Sequence, residues 1–148
     1  MAEILFFNES IDFQPKQKIA LRNWLKKTAK EEGFKISELN YIFCSDEHVW
    51  EMNKQYLDHD TYTDILTFDN GEEEGVLLGD IFISVDRVRE NAEKFKVSFE
   101  DELHRVMVHG VLHLCGYDDL DDQALKIMRE KEDYYLALRE EKLRVNIK

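Results

Sequence analysis

Residues 98–119 read SFEDELHRVMVHGVLHLCGYDD, and the fold turns on how this stretch is parsed. Ser98 with Asp101 forms a capping-box-like helix start. Leu103, Val106, Met107, Val111, Leu112 and Leu114 then recur at helical spacing, so the helix should reach Cys115. Gly116 follows, where a left-handed cap would end it. Working outward, 85–95 reads as a helix, with strands at 64–68 and 78–85 separated by the acidic, glycine-flanked turn 70–75. Upstream lie a helix at 46–56, a strand at 39–44, a helix running from Pro15 to Gly33 and a first strand at 4–7. Downstream, Asp121 and Asp122 open a last helix that buries Ala124, Ile127, Met128, Tyr135 and Leu138 and ends among Lys142, Arg144 and Lys148. Strands interspersed with helices predict an α+β or α/β fold, with a small mixed sheet packed against several helices.

Composition bounds the function classes. At 148 residues the chain fits one domain, 1–148, with a single core, for which 43% hydrophobic residues suffice. No stretch approaches the roughly 20 apolar residues of a membrane span. The N-terminus resembles a strand more than a signal peptide. Without a secretory signal, Cys44 and Cys115 are expected as reduced thiols, and the expected location is the cytoplasm, with no membrane partner. The formal net charge of -12 alone argues against nucleic acid. The charge is uneven, however: residues 15–30 carry six Lys or Arg and no acid, so this window is +6 and the rest -18. On a helical wheel Lys18, Arg22, Lys26 and Lys30 line one face, and Leu21, Trp24, Leu25 and Thr28 the other.

His109 and His113 stand one helical turn apart, so both rings leave the same face and can share an ion. Burying two unpartnered imidazoles in so apolar a helix would be costly, which favours a ligand role. Asp119 falls three residues after the turn at Gly116, where its carboxylate could meet both rings as a third ligand. Two imidazoles and a carboxylate leave a position open, as catalytic sites do. Zn²⁺ suits this set, and another divalent transition metal could replace it. The result would be a zincin-like metal site on a helix. Gly110 occupies the place that a glutamate holds in H-E-x-x-H metalloproteases, so that general base is missing. Asp80 or Asp118 could serve instead, with Asp118 also able to hold a histidine N–H.

The segment from His109 to Asp119 resembles the signature H-G-x-L-H-L-x-G-Y-D-H of the YbeY family of bacterial endoribonucleases and ribosomal-RNA maturation factors. Tyr56, Asp60 and Thr63 to Phe68 are similar to the family's Y-R-x-x-D-x-P-T-D-V-L-S-F, and Leu78 to Ile81 to its L-G-D-I. Asn91-Ala92, Glu102-Leu103, Met128 and Glu132 also fit, so the likeness spans roughly residues 40–140. The resemblance implies an α+β domain, one zinc-type ion, cleavage of single-stranded RNA, and a part in maturing small-subunit ribosomal RNA. The implied partners are therefore ribosomal RNA, the small subunit or its assembly factors, and not DNA.

Two departures stand out. The family's third histidine aligns with Asp119, an acceptable zinc ligand. Its arginine aligns with Leu57, which cannot clamp a phosphate. His59 and the basic helix face of Lys18, Arg22 and Lys26 are the candidates to contact RNA in its place. Two other functions remain open: a metallopeptidase-like hydrolase, against which Gly110 counts, and a non-catalytic ribosome-assembly factor with a structural metal.

Overall fold

Leu77, Ile81 and Ile83 carry their side chains into one apolar cluster, while Phe82, between them, packs into a second cluster on the opposite side. Side chains of a strand alternate between faces, so this stretch separates the two layers of the fold. The computed structural model describes residues 3–57 and 63–144. In chain order the elements are β1 (Glu3–Glu9), α1 (Lys18–Glu31), β2 (Lys35–Cys44), α2 (Asp46–Leu57), β3 (Ile65–Asp69), β4 (Val76–Ser84), α3 (Val85–Phe95), α4 (Phe99–Leu114), α5 (Asp122–Ala137) and α6 (Glu141–Arg144). The sheet order is β1-β2-β4-β3. β1, β2 and β4 run parallel, and β3 pairs antiparallel to β4 at the edge. The architecture is α+β with a small mixed sheet, as expected.

The larger cluster lies between the sheet and α1, α3, α4, α5 and α6; the smaller joins Ile42, Cys44 and Leu66 to Val49 of α2. Helix α4 is central and buried nearly all round. Ser98 caps it by accepting from the Asp101 N–H at 3.0 Å. Gly110 sets how closely it lies on the sheet: a Cβ there would meet Ile81 Cδ1 at 2.9 Å and Ile65 Cδ1 at 3.3 Å. The glutamate of the protease motif would thus meet a packing cost here, since any side chain at 110 must displace Ile81 and Ile65.

Several expectations need correction. Helix α1 begins at Lys18, not Pro15, because Gln17 before it adopts a left-handed φ of 56° that breaks helical geometry. The last helix is two: α5 stops at Ala137 and α6 is a separate turn. On α5 the buried positions are Met128, Glu132, Tyr135 and Leu136, whereas Ile127 and Leu138 are exposed. His104, read from sequence as an ordinary surface or helix residue, is 3% exposed, and its Nδ1 accepts from Arg139 at 2.8 Å. Cys44 and Cys115 are free, and burial pushes both thiols up to about 12, with Glu9 and Glu32 adding to it. Among the described residues, no helix is long and apolar enough to cross a membrane.

Candidate active site

Glu102, Val106, His109 and His113 lie on one stripe of α4, and all four line a cleft of about 570 Å³. Asp64 to Thr67 at the start of β3, Asn91 and Phe95 of α3, Asp119, and Leu125, Arg129 and Glu132 of α5 complete much of its wall. The volume falls in the range of small-ligand sites.

Gly116 brings Asp119 into this cleft. Its φ of +111° admits no ordinary side chain without strain. The Gly116 N–H donates to His113 O at 3.0 Å and the Tyr117 N–H to Leu112 O at 3.1 Å, the two bonds of a Schellman cap. The chain then doubles back, and Asp119 Oδ2 comes within 3.9 Å of His109 Nε2. The loop is tied down from outside. Tyr117 Oη donates to Glu32 Oε1 at 2.8 Å, and Lys131 Nζ and Tyr135 Oη both reach Glu32 Oε2. Burial raises the Glu32 pKa, but these donors outweigh it and hold the carboxyl below its ordinary value.

His109 has a defined orientation. Its Nδ1 lies 2.7 Å from Glu132 Oε2, and Glu132 is 3% exposed. A carboxylate only accepts, so Nδ1 carries the proton and Nε2 is left toward Asp119. Arg105 secures the other oxygen of Glu132 at 2.8 Å and binds Asp133 at 2.7 Å. Burial works against a charged His109, but Glu132, Asp119 and Asp64 outweigh it and keep its pKa above the ordinary value. Two further acids line the cleft. Burial raises the Glu102 carboxyl to about 7, with Asp64 contributing, and burial also raises Asp64, against the pull of His109.

The sequence candidates divide accordingly. His109, His113 and Asp119 share the cleft. Asp80 does not reach it: it lies on the α2 face of the sheet, opposite Asn40 and Phe68 in register, and accepts from Asn40 Nδ2 at 3.0 Å and Asn70 Nδ2 at 3.4 Å. Strand alternation turns it away from α4 and removes it as a base. Asp118 Oδ1 accepts from the Leu120 N–H at 3.3 Å, closing a turn, and does not line the cleft. Lys18, Arg22 and Lys26 lie on α1, which packs on β2, and none lines the cleft. Arg22 donates to Ile4 O at 2.7 Å and lies 4.8 Å from the Phe6 ring centroid, bracing β1. His59 lies outside the described residues, and of Leu57 only the backbone is described.

Sequence reading gave no site role to Glu132, Arg105, Arg129, Phe95 or Glu102. One signal was available: Glu132 is an acid at helical spacing among the apolar residues Met128, Tyr135 and Leu136, and Glu102 shares the stripe of His109 and His113, a pattern that is costly unless the carboxyl has a purpose.

The donor set fits a borderline divalent ion in its chemistry: two imidazoles, one with its tautomer set by a carboxylate, and a carboxylate. Among the described residues no three such groups stand within common reach of one ion; the geometry brings together His109 and Asp119, two of the three, and places His113 in the same cleft.

The family model for endoribonuclease YbeY matches residues 4–139. The endoribonuclease YbeY of Cytophaga hutchinsonii is 53% identical over 136 residues, covering 92% of this chain and 95% of that protein. That of Flavobacterium psychrophilum is 49% identical, covering 91% and 96%. The solution structure of TM1509 from Thermotoga maritima superposes with a TM-score of 0.63 at 34% identity, covering 90% of this chain and 86% of that one. With a family match over nearly the whole chain and relatives this similar along their full length, the chain belongs to the endoribonuclease YbeY family.

Proposed function

We propose that the chain is a metal-dependent endoribonuclease that cleaves single-stranded RNA, with small-subunit ribosomal RNA as its natural substrate, and that His109, His113 and Asp119 hold its ion, Zn²⁺ or a similar divalent metal. The supporting observation is the Glu132–His109 bond at 2.7 Å, which leaves Nε2 toward Asp119 inside a cleft. Such carboxylate–histidine pairs orient metal-binding imidazoles and raise their basicity. When bound, the ion supplies Lewis-acid polarisation of a phosphoryl oxygen and a more acidic water.

The protein's own groups do the rest. Glu132 holds the proton at His109 Nδ1, and Arg105 balances the second Glu132 oxygen. Glu102, with its carboxyl near 7, can accept or release a proton at neutral pH, as a general acid or base must. Metal-stripped protein reloaded with Zn²⁺ should cleave single-stranded RNA, and His113→Ala should not. Equal cleavage by His113→Ala would point to a contaminating nuclease, overturn the reading and favour a non-catalytic assembly role. Asp119→Ala should lose bound metal; unchanged metal content would remove Asp119 from the ligand set.

A further inference from the structure

Asp64, Glu102, Asp119 and Glu132 all line the cleft, and such a lining repels a polyanion unless cations offset it. Two arginines also line it. Arg105 is committed to Glu132 and Asp133 at 2.8 and 2.7 Å. Arg129 of α5 is exposed and, although its charge acts on Glu102 from a distance, makes no ion pair among the described residues, so its guanidinium is available to an incoming anion. On α3, which packs against α4 as α5 does, Phe95 is 50% exposed and also lines the cleft, with the flexible Lys94 Nζ 5.7 Å from its ring centroid, where a stacking base would displace it. A lone exposed phenylalanine is ordinary. One that shares a cleft with an uncommitted guanidinium offers the two groups that single-stranded nucleic acid requires, a cation for phosphate and a π-face for a base.

We infer that Arg129 and Phe95 divide recognition of the RNA strand: Arg129 holds a backbone phosphate, and Phe95 stacks one unpaired base. This rests on the endoribonuclease reading and adds a reason for strand preference, because a base inside a duplex has no free face to offer. The two contributions differ in their response to salt. Each phosphate contact on a single strand adds about 0.7 to the slope of log affinity against log salt, whereas stacking adds almost nothing to it.

The test is fluorescence anisotropy of the full chain with a cleavage-resistant 2′-O-methyl single strand over a salt series. Arg129→Gln should lower the slope by about 0.7. Phe95→Ala should weaken binding about 5- to 100-fold at unchanged slope, and Phe95→Trp should retain it. An unaltered slope in Arg129→Gln, or unaltered affinity in Phe95→Ala, overturns the inference while leaving the nuclease reading intact. Wild-type protein that binds no strand also overturns it, and the His113→Ala cleavage comparison then decides separately whether the nuclease reading survives. Both side chains are exposed, so neither substitution threatens the fold.

Discussion

Glu132 on α5 and His109 on α4 are joined by a 2.7 Å hydrogen bond that ties the fold to the chemistry of the cleft. It sets the imidazole tautomer from a position 23 residues away in sequence and nearly sealed from water. Glu132→Gln can keep a hydrogen bond but removes the charge that makes His109 basic. Metal affinity should fall about 10- to 100-fold, read by competition with a chromogenic chelator. Wild-type affinity in this variant would show that the pair is only structural.

Gly110→Ala should destabilise the protein by about 1–2 kcal/mol in urea denaturation, despite alanine's better helix propensity. The new methyl would lie 2.9 Å from Ile81 Cδ1, and Ile81 is fully buried. Adding Ile81→Val, which deletes that carbon, should restore part of the loss. A stabilised single variant would mean that the sheet yields more readily than its packing indicates.

His104 supplies an acid-sensitive element. Burial, helped by the adjacent Arg139 guanidinium, pushes its pKa down to about 3, from 6.5 in the unfolded chain. The unfolded state therefore binds the extra proton first, and stability falls as pH drops from 6.5 toward 3. His104→Gln should flatten that fall relative to wild type in denaturation series at pH 7, 5 and 4. Parallel curves would assign the acid sensitivity to the carboxylates.

Glu102 acts in the opposite direction. Its carboxyl rises from 4.5 to about 7 on folding, so the folded state retains a proton that the unfolded chain has lost. Stability then declines as pH rises from 4.5 to 7, by up to about 3 kcal/mol. Glu102→Gln should abolish this decline and stabilise the protein at pH 8. If Glu102 also moves protons in catalysis, the same variant should lose the alkaline limb of the pH–rate profile along with activity.

Much of the architecture was legible in the chain because it rests on local rules. Short apolar runs bounded by turn residues marked the strands, and the caps at Ser98 and Asp121 are local hydrogen bonds, to the N–H of Asp101 and Ala124. Boundaries failed where a single backbone angle decided them, as at Gln17. On α5, Met128 and Tyr135 are buried as expected, but Ile127 and Leu138 are not, because the neighbouring helix decides which stripe is covered, and here that stripe includes an acid, Glu132.

The sequence by itself determined the helix that carries His109 and His113 and the turn at Gly116, because each depends on spacing within a few residues. It also determined the family, through motifs spread along most of the chain. Only the tertiary structure decided which distant groups serve the cleft. Asp80 faces the wrong side of the sheet, α1 holds its cations away from the cleft, and Glu132, Arg105, Arg129 and Phe95 arrive from three helices. The reason is physical: a side chain's partner across the fold is set by register and helix packing, which local sequence does not encode.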